Sequence, residues 1–432
     1  MRVHLESYGC STNLADGEVL AGCLGQAGYE LTDSVHDADV LIYNCCSVKG
    51  PTENRMIDLI KRAPKNKKIV VAGCLPLTNY TRLQESARFD AVIGPAAGTR
   101  IVDIVNRVVE GEKIVAITNA LHTKPLLNLP RLRQNSIVSI IPISYGCLGA
   151  CAYCCVVFAR GRLRSYPIKD IVQKVESDLA SGLKEFWLTS QDVGCYGRDL
   201  DTNLVELLNA VCAIPGNFRV RVGMMIPNLV LDMLPKLIEA FNNDKVYKFL
   251  HLPVQSGDDG VLRSMNRCYT VGQFRTIVKD FRTVFPEITF ATDVICGFPG
   301  ESIEAFENTL RLIDDIRPDI VNVSKFFARP RTEAASITKN IVSQTEIKQR
   351  TTVASNLAKK LSLKQNQRWL NWEGTILVNE KGKITNSWVG RNYAYKPIVV
   401  KDSDNLFGRT LRVRIEKAFN TYLNGTIIKE PF

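Results

Sequence analysis

Three cysteines near the middle of the chain have the types and the spacing needed to bind one iron–sulfur cluster. Cys147, Cys151 and Cys154 lie in the run Cys-Leu-Gly-Ala-Cys-Ala-Tyr-Cys, directly after a predicted strand. Soft thiolates select iron–sulfur clusters or zinc over hard cations. Three thiolates bind three irons of a four-iron cubane, which leaves the fourth iron open to an exogenous ligand. The alternative is a zinc knuckle, which would need a fourth Cys or His nearby and paired spacings.

A second group of cysteines lies in the N-terminal part of the chain. Cys10, the pair Cys45 and Cys46, and Cys74 each lie at or just past the end of a predicted strand. The carboxyl ends of parallel strands share one edge of a sheet, so these cysteines can converge on a metal site there. The alternative is that they are buried structural cysteines. Spacing alone does not distinguish Cys45 from Cys46.

Two α/β series would position these cysteines. In the first, strands at 3–8, 38–44, 68–72 and 91–94 alternate with helices at 15–27, 51–62 and 101–109. This predicts an open, mostly parallel α/β domain over residues 1–122. Residues 123–136 are rich in Pro, Asn, Leu and Arg and are interpreted as a linker.

The second series has six candidate strands, separated by helical patterns such as 168–180, 231–241 and 302–316. The strands are predicted at 138–144, 185–189, 219–224, 249–254, 289–295 and 320–326. Six strand–helix units over residues 137–366 predict a partial (β/α)6 barrel, shorter than the full eight-unit barrel.

A change of pattern marks the C-terminal part. Residues 343–368 read as a basic helix, and residues 367–432 contain five short strand-like runs that predict a small β-barrel. The five runs are 374–378, 384–389, 394–399, 409–415 and 422–428. This last segment carries eleven Lys or Arg against six Asp or Glu, so it is basic.

Composition narrows the class of protein. No run approaches the roughly 18 apolar residues of a membrane span, and the N-terminus lacks the apolar region of a signal peptide, so we expect a cytoplasmic protein without a membrane partner. In a reducing compartment, clusters among the thirteen cysteines indicate metal or redox chemistry rather than disulfides. A net charge of +11 and a pI near 9.0 indicate a polyanionic partner. Nothing in the sequence indicates an oligomeric state.

The central cysteine run, with Tyr153 before its last cysteine, resembles the signature of the radical S-adenosylmethionine superfamily. The resemblance implies that the amine and carboxylate of S-adenosylmethionine chelate the open iron of a [4Fe-4S] cluster. It further implies that one-electron reduction cleaves this cofactor to a deoxyadenosyl radical, which abstracts hydrogen from the substrate. The protein would position these groups and exclude water.

Both cysteine groups together resemble the methylthiotransferases along almost the whole chain. That family has an N-terminal cluster domain, a radical barrel and a C-terminal β-barrel of the TRAM type. The resemblance implies a second [4Fe-4S] cluster on Cys10, Cys46 and Cys74, since the family's Asn-Thr-Cys motif aligns with Asn44-Cys45-Cys46. It also implies that the second cluster takes part in sulfur insertion and that a second S-adenosylmethionine supplies the methyl group.

Other motifs match the same family in the expected order. Thr189-Ser190-Gln191-Asp192 ends the second barrel strand, where the superfamily binds the amino group of the cofactor, and Gly-Phe-Pro-Gly-Glu covers 297–301. The implied cofactor-binding residues are Tyr153, Gln191, Asp192, Gly297 and Pro299. The loop Arg329-Pro330-Arg331 departs from the usual Arg-Pro-Gly. Beyond the cluster loop, Arg160, Arg162 and Arg164 are candidates to meet phosphates or a carboxylate, or form a solvated basic loop.

The cluster loop and the following Phe-Ala-Arg-Gly-Arg-Leu-Arg-Ser-Tyr-Pro resemble the archaeal and eukaryotic branch that modifies threonylcarbamoyladenosine in tRNA. A basic C-terminal barrel would attract the phosphates of the anticodon stem-loop and repel a basic ribosomal protein. The resemblance therefore implies conversion of N6-threonylcarbamoyladenosine to its 2-methylthio derivative, with an electron donor as a further partner. The alternatives are isopentenyladenosine or a ribosomal protein aspartate as substrate, and a non-catalytic metal- and RNA-binding protein.

Overall fold

A computed structural model describes residues 1–48, 50–117 and 123–428. Lys49 of the Asn-Cys-Cys motif region, residues 118–122 at the end of the expected first domain and residues 429–432 lie outside the described residues. The structure confirms the predicted fold class: an open parallel sheet, a partial barrel and a small closed β-barrel follow one another along the chain. Among the described residues, no helix is both long enough and apolar enough to cross a lipid bilayer.

The N-terminal sheet has six parallel strands in the order two, one, three, four, five, six. Its central strand Val40–Cys45 is buried at every position, as expected of a strand covered by helices on both faces. The strands are Arg2–Ser7, Glu30–Leu31, Val40–Cys45, Lys68–Gly73, Ala91–Ile93 and Ile114–Ala116. The helices are Ser11–Gln26, Gly50–Arg62, Leu75–Thr78, Tyr80–Ser86 and Arg100–Val109.

The central barrel is built from two three-stranded parallel sheets. They adjoin between the third and fourth strands, where the Met225 amide donates to the His251 carbonyl at 3.0 Å. The strands are Val138–Pro142, Glu185–Thr189, Arg219–Val222, Phe249–His251, Thr289–Cys296 and Ile320–Lys325, with a short antiparallel pair of Ser144–Tyr145 and Arg164–Ser165. The helices are Val156–Arg160, Ile168–Ala180, Leu204–Ala213, Pro227–Leu231, Leu234–Phe241, Asp259–Ser264, Val271–Val284 and Ile303–Ile316, with 3-10 turns at Val193–Cys195 and Glu333–Ser336.

A long helix, Gln344–Gln367, connects the central barrel to the C-terminal barrel. It begins at Ser343, whose side chain accepts a hydrogen bond from the Glu346 amide and so caps the first turn. Its buried face includes Ile347 and Ala354 and packs against the central barrel. Arg350 on this helix forms an ion pair with the buried Glu301 at 2.6 Å, which fixes the helix to the loop after the fifth barrel strand.

The C-terminal barrel is closed by five strands, of which only the third and fifth pair in parallel. Alternate residues point inward, so Ile376, Val378, Val413 and Ile415 form its core with Trp369. The strands are Glu373–Lys381, Ser387–Arg391, Pro397–Lys401, Thr410–Ala418 and Leu423–Ile427.

Candidate active site

All six cysteines predicted to bind clusters line one cavity of 430 Å³ between the N-terminal sheet and the central barrel. They are Cys10, Cys46, Cys74, Cys147, Cys151 and Cys154. The cavity forms because the N-terminal sheet and the strands of the central barrel turn their carboxyl ends toward it. Each of the six cysteines follows such a strand end. Two cysteine groups that are far apart in sequence therefore share one space.

The loop of Cys147, Cys151 and Cys154 curls around Gly149. A Cβ atom at Gly149 would lie 3.3 Å from Cys147 Sγ and 3.7 Å from Cys151 Sγ, so a side chain there would crowd both sulfurs. The Gly149 amide donates to Cys147 Sγ at 3.2 Å. Burial raises the pKa of Cys147 to about 11, assisted by the Asp192 carboxylate, and that of Cys154 to about 12. A metal would displace these protons on binding, because thiolates are the ligands.

The N-terminal cysteines are held by a pair of reciprocal asparagine contacts. Asn13 Nδ2 donates to the Asn44 carbonyl at 3.1 Å, and Asn44 Nδ2 donates to the Asn13 carbonyl at 2.7 Å. These bonds tie the loop of Cys10 to the strand before Cys46. Gly9 has φ +132°, and a Cβ there would approach Cys46 Cβ to 2.6 Å, so glycine allows the two cysteine loops to come close.

Cys45 and Cys46 have different surroundings, although they are adjacent in the chain. Cys46 lines the cavity, and its Sγ accepts a hydrogen bond from the Val48 amide at 3.5 Å. Cys45 packs in the apolar cluster behind the sheet, where its thiol donates to the Tyr43 carbonyl at 3.3 Å. The geometry favours Cys46 as the ligand.

Arg160 joins the two halves of the cavity. Its side chain is 1% exposed, and its Nη2 donates to Asp16 Oδ2 at 2.7 Å and to Asn13 Oδ1 at 3.3 Å. Its Nη1 has no hydrogen-bond partner among the described residues. Burial raises the pKa of the Cys74 thiol to about 12, and the Arg160 guanidinium opposes that rise. Arg160 thus meets a protein carboxylate, while Arg162 is exposed and Arg164 donates to backbone carbonyls.

Arg267 places a positive charge beside the barrel cysteines, as Arg160 does beside Cys74. It is buried, and its Nη1 donates to Cys151 Sγ at 3.2 Å while its Nε donates to Tyr269 Oη at 3.0 Å. Its Nη2 donates to the Pro253 carbonyl at 3.1 Å. Arg267 therefore places a buried positive charge in direct contact with the sulfur of Cys151.

Of the five residues predicted to contact the cofactor, two line the cavity and three do not. Tyr153 and Gln191 line the cavity, and Gln191 Oε1 accepts from the Gly146 amide at 2.7 Å. Asp192 is fully buried beside the cavity, and its Oδ1 accepts from the Gly194 and Ile226 amides. Its Oδ2 has no hydrogen-bond partner among the described residues, and burial raises the pKa of Asp192 to about 6. Gly297 and Pro299 do not line the cavity. Their contacts with a cofactor stay predictions.

The described residues do not form a ready-made site for a single metal ion. Among residues 1–48, 50–117 and 123–428, no group of three or more His, Cys, Asp or Glu is arranged to hold one ion. Zinc, with bonds to sulfur of about 2.3 Å, draws its thiolates to within about 4 Å of one another. A cubane of four irons spreads its ligands more widely, so two groups of three soft thiols around a cavity fit clusters.

Arg331 replaces the glycine that is usual in the family, and the structure accommodates this larger residue. Its φ is +65°, in the left-handed region that glycine favours, so the backbone shape is kept although the residue differs. Its Nη2 donates to the Leu77 carbonyl at 2.8 Å, and its guanidinium lies 4.6 Å from the centre of the Phe158 ring. These contacts offset the backbone strain and attach the loop to the N-terminal sheet region.

A second cavity of 710 Å³ lies between the central barrel, the long helix and the C-terminal barrel. Arg221 and His251 line both cavities, so the two adjoin there. The cavity is also lined by the cationic side chains of Lys359 and Arg391. Sequence analysis did not single out Arg221 or Arg267 itself, because a lone arginine in a strand or turn carries no local signal.

The aromatic residues of the C-terminal segment divide into two groups. Trp369 is buried in the core of the C-terminal barrel beside Trp372 and Tyr393. Tyr395 projects instead toward the central barrel, where its ring lies 4.8 Å from that of Tyr247. Most of these rings therefore build the barrel and its contact with the rest of the chain.

Two family profiles match the chain. Residues 2–94 match an uncharacterized protein family, UPF0004, and residues 141–313 match the radical SAM superfamily. The two matches cover the two parts of the chain that supply the cysteines.

Curated relatives match over the full length. A probable threonylcarbamoyladenosine tRNA methylthiotransferase of Pyrococcus horikoshii is 41% identical over 99% of this chain and 100% of that protein. A threonylcarbamoyladenosine tRNA methylthiotransferase of Homo sapiens is 34% identical over 99% of this chain and 74% of that protein.

Among solved structures, the radical S-adenosylmethionine methyltransferase TsrM of Kitasatospora setae, with tryptophan and a cofactor analogue bound, is similar in fold. It has a TM-score of 0.56 and 14% identity, and the match covers 77% of this chain and 74% of that one.

Proposed function

The chain belongs to the family of threonylcarbamoyladenosine tRNA methylthiotransferases, and we propose that it converts N6-threonylcarbamoyladenosine in tRNA to the 2-methylthio derivative. It is a radical S-adenosylmethionine enzyme. The observation that carries the proposal is the single cavity lined by both cysteine groups. Methylthiolation activates a C–H bond and places sulfur on the same carbon, so both chemistries need access to one space.

The donor set fits two [4Fe-4S] clusters. Three soft thiols of the barrel loop and three of the N-terminal sheet line the cavity in separate groups, and the residues that would hold the clusters are Cys147, Cys151 and Cys154, and Cys10, Cys46 and Cys74. When bound, the clusters and S-adenosylmethionine supply one-electron hydrogen abstraction and the methyl group. Tyr153 and Gln191, on the cavity wall, are the strongest candidates to contact S-adenosylmethionine, and contacts of Asp192, Gly297 and Pro299 with it stay predictions.

The protein's own residues prepare this space. Arg267 donates a hydrogen bond to Cys151 Sγ, and Arg160 places a positive charge beside Cys74. Burial of both arginines keeps their charges poorly screened by water, so each acts more strongly on its cysteine than an exposed arginine would. The enclosing walls also limit side reactions of a radical with solvent.

tRNA is the substrate implied by the relatives, and we propose that the anticodon stem-loop docks on the C-terminal barrel. This segment carries eleven basic and six acidic residues, which favours contact with phosphates. It adjoins the second cavity, which leads to the cluster cavity through Arg221 and His251. We propose functional units at residues 1–122, 137–366 and 367–432, with 123–136 as linker, and an external protein as electron donor.

Mass spectrometry of tRNA nucleosides tests the proposal. The reconstituted protein, incubated with S-adenosylmethionine, a reductant, a sulfur source and tRNA bearing N6-threonylcarbamoyladenosine, is expected to yield the 2-methylthio nucleoside. A Cys151→Ala variant is the control and should give none. Unchanged tRNA together with a modified ribosomal protein would overturn the substrate assignment.

A further inference from the structure

Arg221 occupies the junction between the cluster cavity and the second cavity. It lies on the third barrel strand, Arg219–Val222, in which Val220 and Val222 are buried in the core beneath. Alternation along the strand turns Arg221 to the opposite face, toward the barrel interior. It is one of two residues that line both cavities, the other being His251.

Three aromatic rings surround the guanidinium of Arg221. Its Cζ lies 5.1 Å from the centre of the Trp187 ring, 5.1 Å from that of Phe249 and 5.3 Å from that of Tyr395. Trp187 and Phe249 belong to neighbouring strands, and Tyr395 comes from the C-terminal barrel. Rings on several sides hold the planar group in one orientation, so little side-chain entropy remains to be lost when it binds a ligand.

Arg221 differs from the other buried or half-buried cations of the two cavities in having no polar partner. Among the described residues it makes neither a side-chain hydrogen bond nor an ion pair, and its buried Nε is unsatisfied. By contrast, Lys396 is neutralised by Asp319 at 2.6 Å, and Arg267 is bonded to Cys151 and Tyr269. A half-buried charge without a polar partner is costly, and the contacts with the three rings compensate for that cost only in part.

We propose that Arg221 binds an anionic oxygen group of the substrate at the entrance to the cluster cavity. The inference rests on the proposed function, because a threonylcarbamoyl group carries a free carboxylate and the nucleotide beside it carries phosphates. Both groups present two oxygens to the two Nη atoms of a guanidinium, which is the geometry that arginine recognises best. An isopentenyl group has no carboxylate, so a contact with the carboxylate, unlike one with a phosphate, would also select between substrate branches.

Binding of two synthetic anticodon stem-loops tests the proposal and separates the two anions. One stem-loop carries N6-threonylcarbamoyladenosine, and the other carries its methyl ester, which lacks the carboxylate charge but keeps every phosphate. Dissociation constants are measured with the anaerobically reconstituted holoenzyme. Removal of one charge-assisted hydrogen-bonding partner is expected to weaken binding about 10- to 100-fold.

If the anion is the carboxylate, wild type binds the ester about 10- to 100-fold more weakly than the acid, whereas Arg221→Gln binds both equally weakly. If it is a phosphate, wild type binds acid and ester alike, and Arg221→Gln weakens both by the same factor. The proposal is overturned if Arg221→Gln binds both stem-loops as wild type does, or if it still distinguishes acid from ester as strongly as wild type does.

Arg219→Gln is the matched control, since Arg219 lies on the same strand but donates to the Asp244 carbonyl and does not line either cavity. It should bind both stem-loops as wild type does. Arg221→Lys keeps the charge without the two-pronged geometry and should give an intermediate loss, which provides a second readout if Arg221→Gln does not fold. Absence of the 2-methylthio product with wild type, despite selective binding of the acid, would overturn the proposed function and leave the anion contact standing.

Discussion

Cys45 and Cys46 show how neighbouring residues acquire different surroundings where a strand ends. Cys45 is the last residue of its strand and its thiol enters the apolar cluster, whereas Cys46, one residue past the strand, lines the cavity. The family's threonine is replaced by the residue that points away from the cavity, and the replacement adds no ligand to it.

This difference predicts the iron content of two alanine variants. Reconstituted wild type should hold about eight irons, the content of two cubanes. Cys46→Ala is expected to retain about four irons, because the N-terminal group loses a ligand, whereas Cys45→Ala should retain about eight. Anaerobic iron analysis measures both. The reverse pattern would assign the ligand to Cys45.

The sequence predicted the six cysteines that line the cavity and named Arg160 as a candidate to meet phosphates or a carboxylate, but it did not predict that Arg160 and Arg267 lie beside those cysteines. Arg160 meets Asp16 across 144 positions of sequence, and Arg267 meets Cys151 across 116. A cysteine motif is visible in the sequence because its residues are close together and rare. An arginine acquires its role only when the fold brings a distant partner to it.

The buried pair of Arg160 and Asp16 predicts a large loss of stability when it is broken. Arg160→Met leaves the Asp16 carboxylate buried without its cation, and such losses amount to about 3–5 kcal/mol. Arg198→Met, which breaks the exposed pair with Asp232 at 2.7 Å, should cost less than about 1 kcal/mol. Urea unfolding of the metal-free variants makes the comparison without a contribution from bound iron. Equal midpoints for both variants would contradict the role given to Arg160.

At the level of elements, the loop after the fifth barrel strand is shaped by the long helix that packs on it. Gly297 and Gly300 both have positive φ, at +82° and +87°. A Cβ at Gly297 would lie 2.2 Å from Ile347 Cγ1, whereas one at Gly300 would meet nothing within 4 Å. A side chain at Gly300 would therefore meet backbone strain alone, whereas a side chain at Gly297 would meet backbone strain and steric contact with the helix.

Alanine at these two glycines should destabilise the protein to different degrees. Gly300→Ala incurs only the strain of the left-handed backbone, about 1 kcal/mol. Gly297→Ala adds an overpacking cost of about 1–3 kcal/mol, because the helix must shift away from the loop. Thermal unfolding measures both, and Gly297→Ala combined with Ile347→Ala should recover part of the difference in melting temperature. Identical melting temperatures for the two single variants would show that the helix does not constrain the loop.

Most elements could be predicted from periodicity, and the differences have local causes. The helix Ser11–Gln26 begins before the predicted 15, because the Asn13 side chain bonds to the Tyr8 and Asn44 carbonyls within a stretch that reads as a loop. The helix predicted at 231–241 is wrong at its start. The structure has two helices there, Pro227–Leu231 and Leu234–Phe241, because Pro235 is tolerated only in the first turn of a helix.

On the scale of the whole molecule, the second cavity lies where the central barrel, the long helix and the C-terminal barrel meet. The cations that line it predict that binding of tRNA depends on salt concentration. Lys359 lies on the long helix, is exposed and lines this cavity. Removing one cation that binds a phosphate should reduce the slope of log affinity against log salt by about 0.7–0.9. Lys359→Ala is therefore expected to lower the slope for tRNA by that amount. Lys279→Ala, an exposed change that lies away from the cavity, should leave the slope unchanged; filter binding across a salt series compares them.

Closure of the C-terminal barrel limits the ways in which another molecule can bind to it. Among the described residues, each of its five strands pairs with two neighbours, so the barrel has no edge strand to which another chain could add by backbone hydrogen bonds. The barrel is therefore protected against edge-to-edge aggregation and β-strand addition. A molecule that binds the barrel is recognised instead through side chains and loops, so its specificity can change by substitution while the fold is kept.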